Sequence, residues 1–353
     1  MSVVSACAVN VKCRAMYSQL LSRADYDVLL ESQSVSQVAA YLKKKAPYAS
    51  ILASIDENSA HRRDLERMLK DSLFHDCTKL LRFSAGGYNT EIRNVFLSYE
   101  VDELKQIISS NFFSKRKCPF RRKGDLIFLR NYSKIKVETL LSSNTFGDFV
   151  ENLMGSRFYE ALKPFAEKDV LNFFEIDNAI DKVNFESALG ELKKKIGKAG
   201  KAGNEGQGSV YGTVADVTNL FFIYRMKKLL ASNPEDIIMR LIPHHYKMTR
   251  ADLLVLAECE GIENLVELMS KSKYGFLFPI DSESAWEDNY YEYLYAIHKK
   301  NFRKPLPNAL TSSSYLFLKE IDIKNIITII EGIRYSMPAL GIARHLTGYR
   351  QGA

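Results

Sequence analysis

Cysteine, proline and glycine are scarce in this chain, and long apolar runs are missing. The five cysteines among 353 residues are scattered and never form a C-x-x-C pair, so the sequence indicates neither a disulfide framework nor a zinc knuckle. The most apolar stretches, such as Leu220–Tyr224 and Ile326–Ile330, fall far short of the ~18 residues that a membrane-spanning helix needs. Residues 1–14 have no basic residue ahead of their small apolar patch and no hydrophobic core of signal-peptide length, so we expect a cytoplasmic protein.

Helical periodicity dominates what the sequence does contain. With 46% hydrophobic and 26% charged residues, the composition is typical of a globular protein. Apolar residues recur at spacings of three and four, strand-like alternation is rare, and only 9 prolines and 18 glycines interrupt the pattern. The sequence therefore predicts an all-α fold of long helices joined by short loops. The predicted helices cover residues 15–30, 64–81, 101–108, 149–162, 217–230, 253–269 and 323–333.

The chain carries no recognisable signature of a catalytic, cofactor or metal site. The Gly/Lys-rich stretch Gly197–Gly208 departs from the phosphate-loop pattern because Ala202 follows Lys201, and it also lacks G-x-G-x-x-G, so we interpret it as a flexible solvated loop. His244 and His245 are adjacent and have no H-E-x-x-H partner, which favours loop histidines over a metal pair. We predict that the chain is not an enzyme and has no catalytic residue, cofactor or metal.

A five-residue phrase typical of helix starts occurs three times, the second copy being the loosest. Two copies are Ser22-Arg23-Ala24-Asp25-Tyr26 and Thr249-Arg250-Ala251-Asp252-Leu253, and the looser copy lies in Asn144-Thr145-Phe146-Gly147-Asp148-Phe149. Their aspartates are 123 and 104 residues apart. The first and third copies are followed at a similar distance by Tyr48 and Tyr274. A recurrence of this length indicates repeated domains rather than short stacked hairpins.

A second phrase recurs in the same order: an acidic residue, a β-branched residue, any residue, Asn or Glu, then Leu or Ile. The copies are Glu100-Val101-Asp102-Glu103-Leu104, Asp216-Val217-Thr218-Asn219-Leu220 and Asp322-Ile323-Lys324-Asn325-Ile326, with 116 and 106 residues between their first positions. We interpret the acidic residue as a first-turn residue and the apolar positions as inward-facing, so the phrase is structural. The two series predict three helical modules, 1–125, 126–235 with the insert 197–208, and 236–353.

Three further stretches resemble stretches of one known family. They are Val9–Leu21, Leu241–Pro243 and Phe317–Ile326. With them, nearly the whole chain resembles the C subunit of archaeal and bacterial A/V-type rotary ATPases, called the d subunit in the eukaryotic vacuolar enzyme. Two departures are visible, the insert 197–208 and the basic, aromatic stretch 112–130. Both departures concern local surface contacts rather than the family.

The resemblance implies a funnel of three helical modules with pseudo-threefold symmetry. It implies a non-catalytic rotor subunit of the central stalk, peripheral on the cytoplasmic face of the membrane. Such a subunit couples the central shaft subunits to the membrane proteolipid ring for proton or sodium transport, with no small-molecule substrate and no nucleic acid. Partner-binding candidates are Arg14, Tyr17, Arg225 and Arg334, because each lies on or beside a phrase that resembles the family.

The charge pattern leaves two alternatives open. The net charge of +7 is a small surplus, yet Lys115–Lys123 is strongly basic and lies near Phe112, Phe113 and Phe128. Basic residues beside aromatic ones are typical of single-stranded nucleic-acid grooves, so a basic helical nucleic-acid-binding protein is the second hypothesis. In a rotor subunit the same cluster would instead face anionic headgroups or an acidic shaft helix.

A third hypothesis, an α-solenoid adaptor, ranks last, because solenoid units repeat every ~20–50 residues.

Overall fold

The computed structural model describes residues 3–56, 61–83, 88–114, 126, 129–130, 133–199, 205–230, 232–305 and 310–349. Within these ranges the regular structure is helical and no strand is formed, so the predicted all-α fold is confirmed. The basic cluster 115–123 lies outside the described residues, as do residues 200–204 of the insert.

The described helices range from 4 to 27 residues in length, and those that begin at the three predicted helix starts are short. In chain order they are α1 (Val3–Tyr17), α2 (Arg23–Leu30), α3 (Val35–Lys43), α4 (Ala46–Leu52), α5 (Arg62–Phe83), α6 (Tyr88–Ile108), α7 (Val137–Leu141), α8 (Phe146–Glu151), α9 (Tyr159–Leu162), α10 (Phe173–Ala199), α11 (Glu205–Leu230), α12 (Pro234–Arg240), α13 (Arg250–Glu258), α14 (Ile262–Ser270), α15 (Trp286–Phe302), α16 (Thr311–Arg334) and α17 (Ala339–Ala343). A single π-helical turn, Ser109–Phe113, follows α6.

The chain divides into two compact units. Unit 1 joins Met1–Val95 to Asp288–Ala353, and unit 2 is the continuous stretch Phe96–Glu287. The three modules predicted from the repeats stay a prediction.

In unit 1, α16 is the central helix and packs against α1 and α5. The face that α5 turns inward carries leucines at helical spacing, and Leu65, Leu69, Leu73 and Leu80 are each at most 2% exposed. Burial of such a face, at about 25 cal/mol per Å² of apolar surface, holds these helices together. The side chains of α16 are buried around most of its circumference, which is typical of a helix surrounded by others.

In unit 2, an aromatic cluster lies where α8 packs beside the π-helical turn. Phe112 meets Phe146 and Phe149 edge to face, with ring centroids 5.3 and 5.5 Å apart. Phe158, Ile176 and other fully buried residues extend this core towards α10. Edge-to-face pairs add specific geometry to the hydrophobic burial. The remaining long helices of the unit, α10 and α11, pack against each other.

The Gly/Lys-rich insert is a loop over a shorter stretch than the sequence predicts. Residues 197–199 end α10 and residues 205–208 begin α11, so the loop prediction is wrong for these seven positions. Glycine lowers helix propensity by only about 1 kcal/mol per residue, which does not stop two long packed helices from extending into the insert.

Three of the predicted helices are each two helices in the structure. They are 15–30, 149–162 and 253–269. Gly155 and Gly261, with left-handed φ of 79° and 81°, lie in the breaks of the second and third of these stretches, and Gly261 is the N-cap of α14. The first is broken where Ser22 takes an extended conformation and begins a new helix. Periodicity detects the shared apolar face, which continues across such breaks.

Candidate functional site

All three copies of the first phrase form the same N-terminal capping box. In each, the Ser or Thr hydroxyl accepts a hydrogen bond from the aspartate N–H, and the aspartate carboxylate accepts one from the Ser or Thr N–H, at 2.7–3.3 Å. The pairs are Ser22 with Asp25, Thr145 with Asp148, and Thr249 with Asp252. Two otherwise unsatisfied backbone donors are thereby bonded at each helix start. The prediction that these phrases begin helices is confirmed.

In unit 2, Asp216 and Asn219 of the second phrase bond the loop that leads to α13. We call such an aspartate–asparagine pair, with its bonds to the backbone of another segment, a clasp. Asp216 is fully buried in the middle of α11, and its carboxylate accepts the N–H groups of residues 246–248 at 2.7–3.1 Å and the hydroxyl of Tyr274 at 3.0 Å. One turn along the helix, Asn219 bonds both backbone groups of Ile242, accepting its N–H at 2.8 Å and donating to its carbonyl at 3.1 Å. The loop from Ile242 to residue 248 is therefore held at both ends.

In unit 1, the third copy makes the equivalent clasp. Asp322 is buried in the middle of α16 and accepts the hydroxyls of Tyr48, at 2.5 Å, and Tyr26. The backbone of Leu21, the residue before the first capping box, is close enough to this carboxylate to favour its charged form. Asn325 bonds both backbone groups of Thr347 at 2.9 Å, as Asn219 bonds Ile242 in unit 2. The tyrosines that follow the first and third capping boxes at a similar distance thus bond equivalent aspartates.

The first copy, in α6, uses longer side chains for a similar purpose. Glu103 accepts the N–H of Leu129 at 2.8 Å, and Glu100 accepts the hydroxyl of Ser133. The prediction that the acidic residue lies in a first turn is wrong for all three copies, because each lies inside a helix and bonds a separate loop. The inward-facing apolar positions are confirmed. Their residues, all at most 4% exposed, are Val101, Leu104, Val217, Leu220, Ile323 and Ile326.

Unit 1 also buries an unusual cation one turn before Asp322. Lys319 has no exposed surface, its Nζ lies 3.6 Å from the ring centroid of Tyr48, and it finds no hydrogen-bond acceptor among the described residues. Burial lowers the pKa of Lys319 to about 8, because the charged form loses its hydration. Burial likewise raises the pKa of Asp322. The tyrosine ring supplies the negative face that partly replaces water around the ammonium.

A cavity of about 430 Å³ opens in unit 1 beside the Asp322 clasp. Its walls come from the end of α1 and start of α2, from α15 and α16, and from residues 347–349. Tyrosine side chains and two cations dominate the polar lining. They are Tyr17, Tyr26, Tyr295, Tyr349, Arg23 and Lys299. Burial, with the nearby Tyr17 and Glu292, raises the pKa of Tyr295 to about 12, so this phenol stays protonated at neutral pH.

The structure places two of the four predicted partner-binding residues on α1. The Arg14 guanidinium is exposed and donates to the carbonyl of Lys304 at 3.0 Å. Tyr17 is half-buried, packs on Phe302 with ring centroids 4.5 Å apart, and lines the cavity. Both side chains therefore already contact other parts of unit 1.

The other two predicted residues are exposed arginines on different helices. Arg225 lies on α11 in unit 2, with its guanidinium 5.9 Å from the ring centroid of Phe221. Arg334 ends α16 in unit 1, pairs with Glu331 at 3.6 Å, and lies 5.2 Å from the Tyr335 ring centroid. As partner-binding residues, all four stay a prediction.

The described ranges contain neither a membrane-spanning helix nor a metal-binding cluster. Across the described ranges, no helix is both long and apolar enough to cross a bilayer. Over the same ranges, no three His, Cys, Asp or Glu side chains converge in a way that could hold a metal ion. His244 and His245 lie in the loop between α12 and α13, as predicted.

These features define an all-helical protein with repeated capping boxes and clasps in the described residues. The chain belongs to the family described as ATP synthase (C/AC39) subunit, which it matches over residues 9–344. The family resemblance stated from the sequence is thereby confirmed. The family is that of a non-catalytic stalk subunit, so the chain is a subunit of an A/V-type ATPase, with partners inside that complex, and is not an enzyme in its own right.

Curated relatives point to the same family at low identity. The chain is 22% identical over 254 residues to the A-type ATP synthase C subunit of Methanosarcina mazei, covering 72% of this chain and 68% of the relative. It is 21% identical over 343 residues to the protein of the same name in Methanosphaera stadtmanae, covering 93% and 83%. A third, from Methanothermobacter thermautotrophicus, is 20% identical over 270 residues, covering 75% and 66%.

Proposed function

We propose that the chain is a rotor subunit of the central stalk, which couples the central shaft to the membrane proteolipid ring for proton or sodium transport. It would do so from the cytoplasmic face of the membrane, as a three-module funnel with pseudo-threefold symmetry. The family match over residues 9–344 supports the class of complex, and the relatives named as the C subunit of A-type ATP synthases support the position within it.

The threefold recurrence of capping boxes and clasps is the observation that carries this proposal. Three phrases form the same box, and the three acidic residues of the second phrase, Glu100, Asp216 and Asp322, lie inside long helices and bond groups that are distant in sequence. Modules alike in this way give a broad body with loops fixed by buried polar bonds rather than by surface contacts alone. A coupler that transmits torque needs such loops, because a loop that yields would dissipate the twist between shaft and ring.

We place the partner contacts on the exposed arginines. Arg225 and Arg334 present guanidinium groups to solvent, whereas Arg14 and Tyr17 are engaged within unit 1. An exposed guanidinium can pair with a carboxylate of a shaft helix or a ring loop.

The test reverses both exposed charges and follows coupling. The variant R225E/R334E is compared with K44E/R344E, which changes two other exposed cations by the same total charge. We expect both variants to keep wild-type helicity by circular dichroism. We expect only R225E/R334E to lose association with the ring or shaft, and to lower ATP-driven ion pumping in reconstituted vesicles at least tenfold.

Two outcomes would contradict parts of this proposal. Equal loss of pumping in both double variants would remove Arg225 and Arg334 from the interface. Full pumping by a complex that lacks the whole chain would end the rotor assignment. The alternative, nucleic-acid binding, rests on the cluster 115–123, which lies outside the described residues, and no observation on the described chain favours it.

A further inference from the structure

The two aspartate–asparagine clasps hold their loops in equivalent ways, but the loops differ in connectivity. In unit 2, one continuous segment runs from Ile242, bonded by Asn219, to residues 246–248, bonded by Asp216, and enters the capping box at Thr249. The clasp thus spans a short stretch of chain and fixes both of its ends.

In unit 1, the same two ends belong to opposite parts of the sequence. Asn325 bonds Thr347, whereas Asp322 bonds Tyr26 of α2 and lines the same cavity as Leu21 and Ser22, where the first capping box begins. No short segment joins Thr347 to Leu21. The cavity opens here, with residues 20–23 on one side, residues 347–349 on another, and both clasp residues in its lining. Judged by the clasp residues that border it, the cavity corresponds to the middle of the 242–248 segment in unit 2.

The wall formed by residues 347–349 is well held. The N–H of Gly348 donates to Glu292 at 2.7 Å, and the Tyr349 hydroxyl donates to Asp27. A Cβ at Gly348 would lie 2.5 Å from the Tyr295 ring, so the backbone packs directly on that tyrosine. The cavity volume of about 430 Å³ falls in the ~300–1,000 Å³ range of ligand sites. This is a built concavity, not a gap between loose loops.

The lining of the cavity is cationic. Arg23 lies over the ring of Tyr349 at 5.0 Å and Lys299 over the ring of Tyr295 at 5.1 Å, and in the described part of the chain neither side chain pairs with a carboxylate. The acidic residue in the lining, Asp322, already accepts two tyrosine hydroxyls. Stacking on aromatic rings orients the two cations and leaves their donors for an incoming anion.

We propose that this cavity binds an extended acidic segment of a partner protein. The segment's backbone would follow the course that residues 243–246 take in unit 2, and an Asp or Glu side chain would pair with Arg23 and Lys299. A peptide is the occupant because the equivalent place in the other unit is filled by peptide. An acidic one is selected because both free charges in the lining are positive. This proposal does not depend on the rotor function.

The test measures fluorescence polarisation of labelled peptides with the full chain. The probe is the peptide of residues 242–249 with His244, His245 and Lys247 replaced by Glu, and the same peptide with its natural residues is the comparison. We expect the acidic probe to bind wild type and the natural peptide to bind at least tenfold more weakly. Loss of that difference, or no binding of either peptide, would overturn the proposal.

A matched pair of variants assigns binding to the cavity. R23E/K299E reverses both lining charges, and R250E/K300E is its control, because Arg250 holds the same position in the third capping-box phrase and Lys300 is the next residue of α15. We expect at least tenfold weaker binding of the acidic probe in R23E/K299E, less than twofold change in the control, and gain of binding to the natural peptide in R23E/K299E.

The remaining outcomes also decide the question. Unchanged binding in R23E/K299E, with helicity retained by circular dichroism, would place the probe elsewhere. Competition of inorganic phosphate with the probe, at concentrations close to the dissociation constant of the probe itself, would make this a small-anion site. That result would overturn the peptide assignment.

Discussion

Replacing Asp216 by Asn tests whether the clasp in unit 2 holds its loop. One carboxylate oxygen accepts the Tyr246 N–H, and the other accepts the Lys247 and Met248 N–H groups and the Tyr274 hydroxyl. The amide of Asn can keep the second set only by turning its NH₂ towards the Tyr246 N–H. One hydrogen bond to a charged group is then lost and the others lose their charge.

The magnitude follows from that count. Each hydrogen bond to a charged group contributes about 1.5–3 kcal/mol, so we expect Asp216→Asn to weaken the local structure by about 3 kcal/mol. Since about 1.4 kcal/mol is tenfold in an equilibrium constant, amide hydrogen exchange in residues 246–248 should become roughly 100-fold faster. Tyr274→Phe removes one donor and leaves the three backbone bonds, so its effect should be about 1 kcal/mol.

Hydrogen exchange with mass spectrometry on peptides that cover residues 244–250 makes the measurement. The control is Asp236→Asn, an exposed aspartate on α12 whose loss should leave these amides unchanged. Exchange within threefold of wild type in the Asp216→Asn variant would show that the loop is held by other contacts, and the clasp interpretation would fail.

Two further predictions concern unit 1. Burial lowers the pKa of His298, which is stacked on Phe317, to about 3. Below pH ~6.5 the unfolded chain therefore binds a proton at His298 that the folded chain does not bind. The free energy of unfolding should fall by about 2 kcal/mol between pH 7 and pH 5 for this reason. Urea unfolding should show this loss in wild type and not in His298→Gln; an equal loss in both would assign the acid sensitivity to other groups. A Cβ on Gly332 would lie 2.4 Å from Ile342 Cγ1, whereas one on Gly341 meets only ordinary contacts, so Gly332→Ala should cost at least about 1 kcal/mol more than Gly341→Ala by thermal unfolding. Equal melting temperatures would contradict the packing described between α16 and α17.

Local features of this fold are readable from the sequence. The helix starts at Ser22, Thr145 and Thr249 follow from short-range chemistry, because a hydroxyl and a carboxylate three residues apart complete the capping box within one turn. The all-α class follows from apolar periodicity, which depends on neighbours three and four positions away. The same reasoning overran the breaks at Gly155 and Gly261, where the apolar face continues although the backbone turns.

The clasps depend on contacts that local patterns do not specify. Asp216 meets its loop about 30 residues later, and Asp322 meets Tyr26 across 296 residues. The sequence carries one signal of the clasps, which is the Asn three positions after Asp216 and after Asp322. Tyr48 and Tyr274, which follow the first and third capping boxes, belong to the same signal. That signal shows that the positions are repeated, but only the packing of the chain shows which groups bond.

Tertiary packing also decides the environment of single side chains. Lys319 reads in the sequence as an ordinary helical lysine, and its burial beneath the Tyr48 ring results from the position of α16 at the centre of unit 1. The cationic cavity is a feature of the same kind, since Arg23 and Lys299 come from helices far apart in the chain.

The make-up of unit 1 from both ends of the chain has a consequence for biosynthesis. The hydroxyl of Tyr48 bonds Asp322, which is synthesised 274 residues later, or roughly 14–55 s at ~5–20 residues per second. Unit 2 is continuous and is synthesised completely before α16. The nascent α1–α5 segment must therefore wait without α16 against its leucine face, and a message cut short between residues 287 and 311 would yield a chain that contains all of unit 2 but lacks the central helix of unit 1.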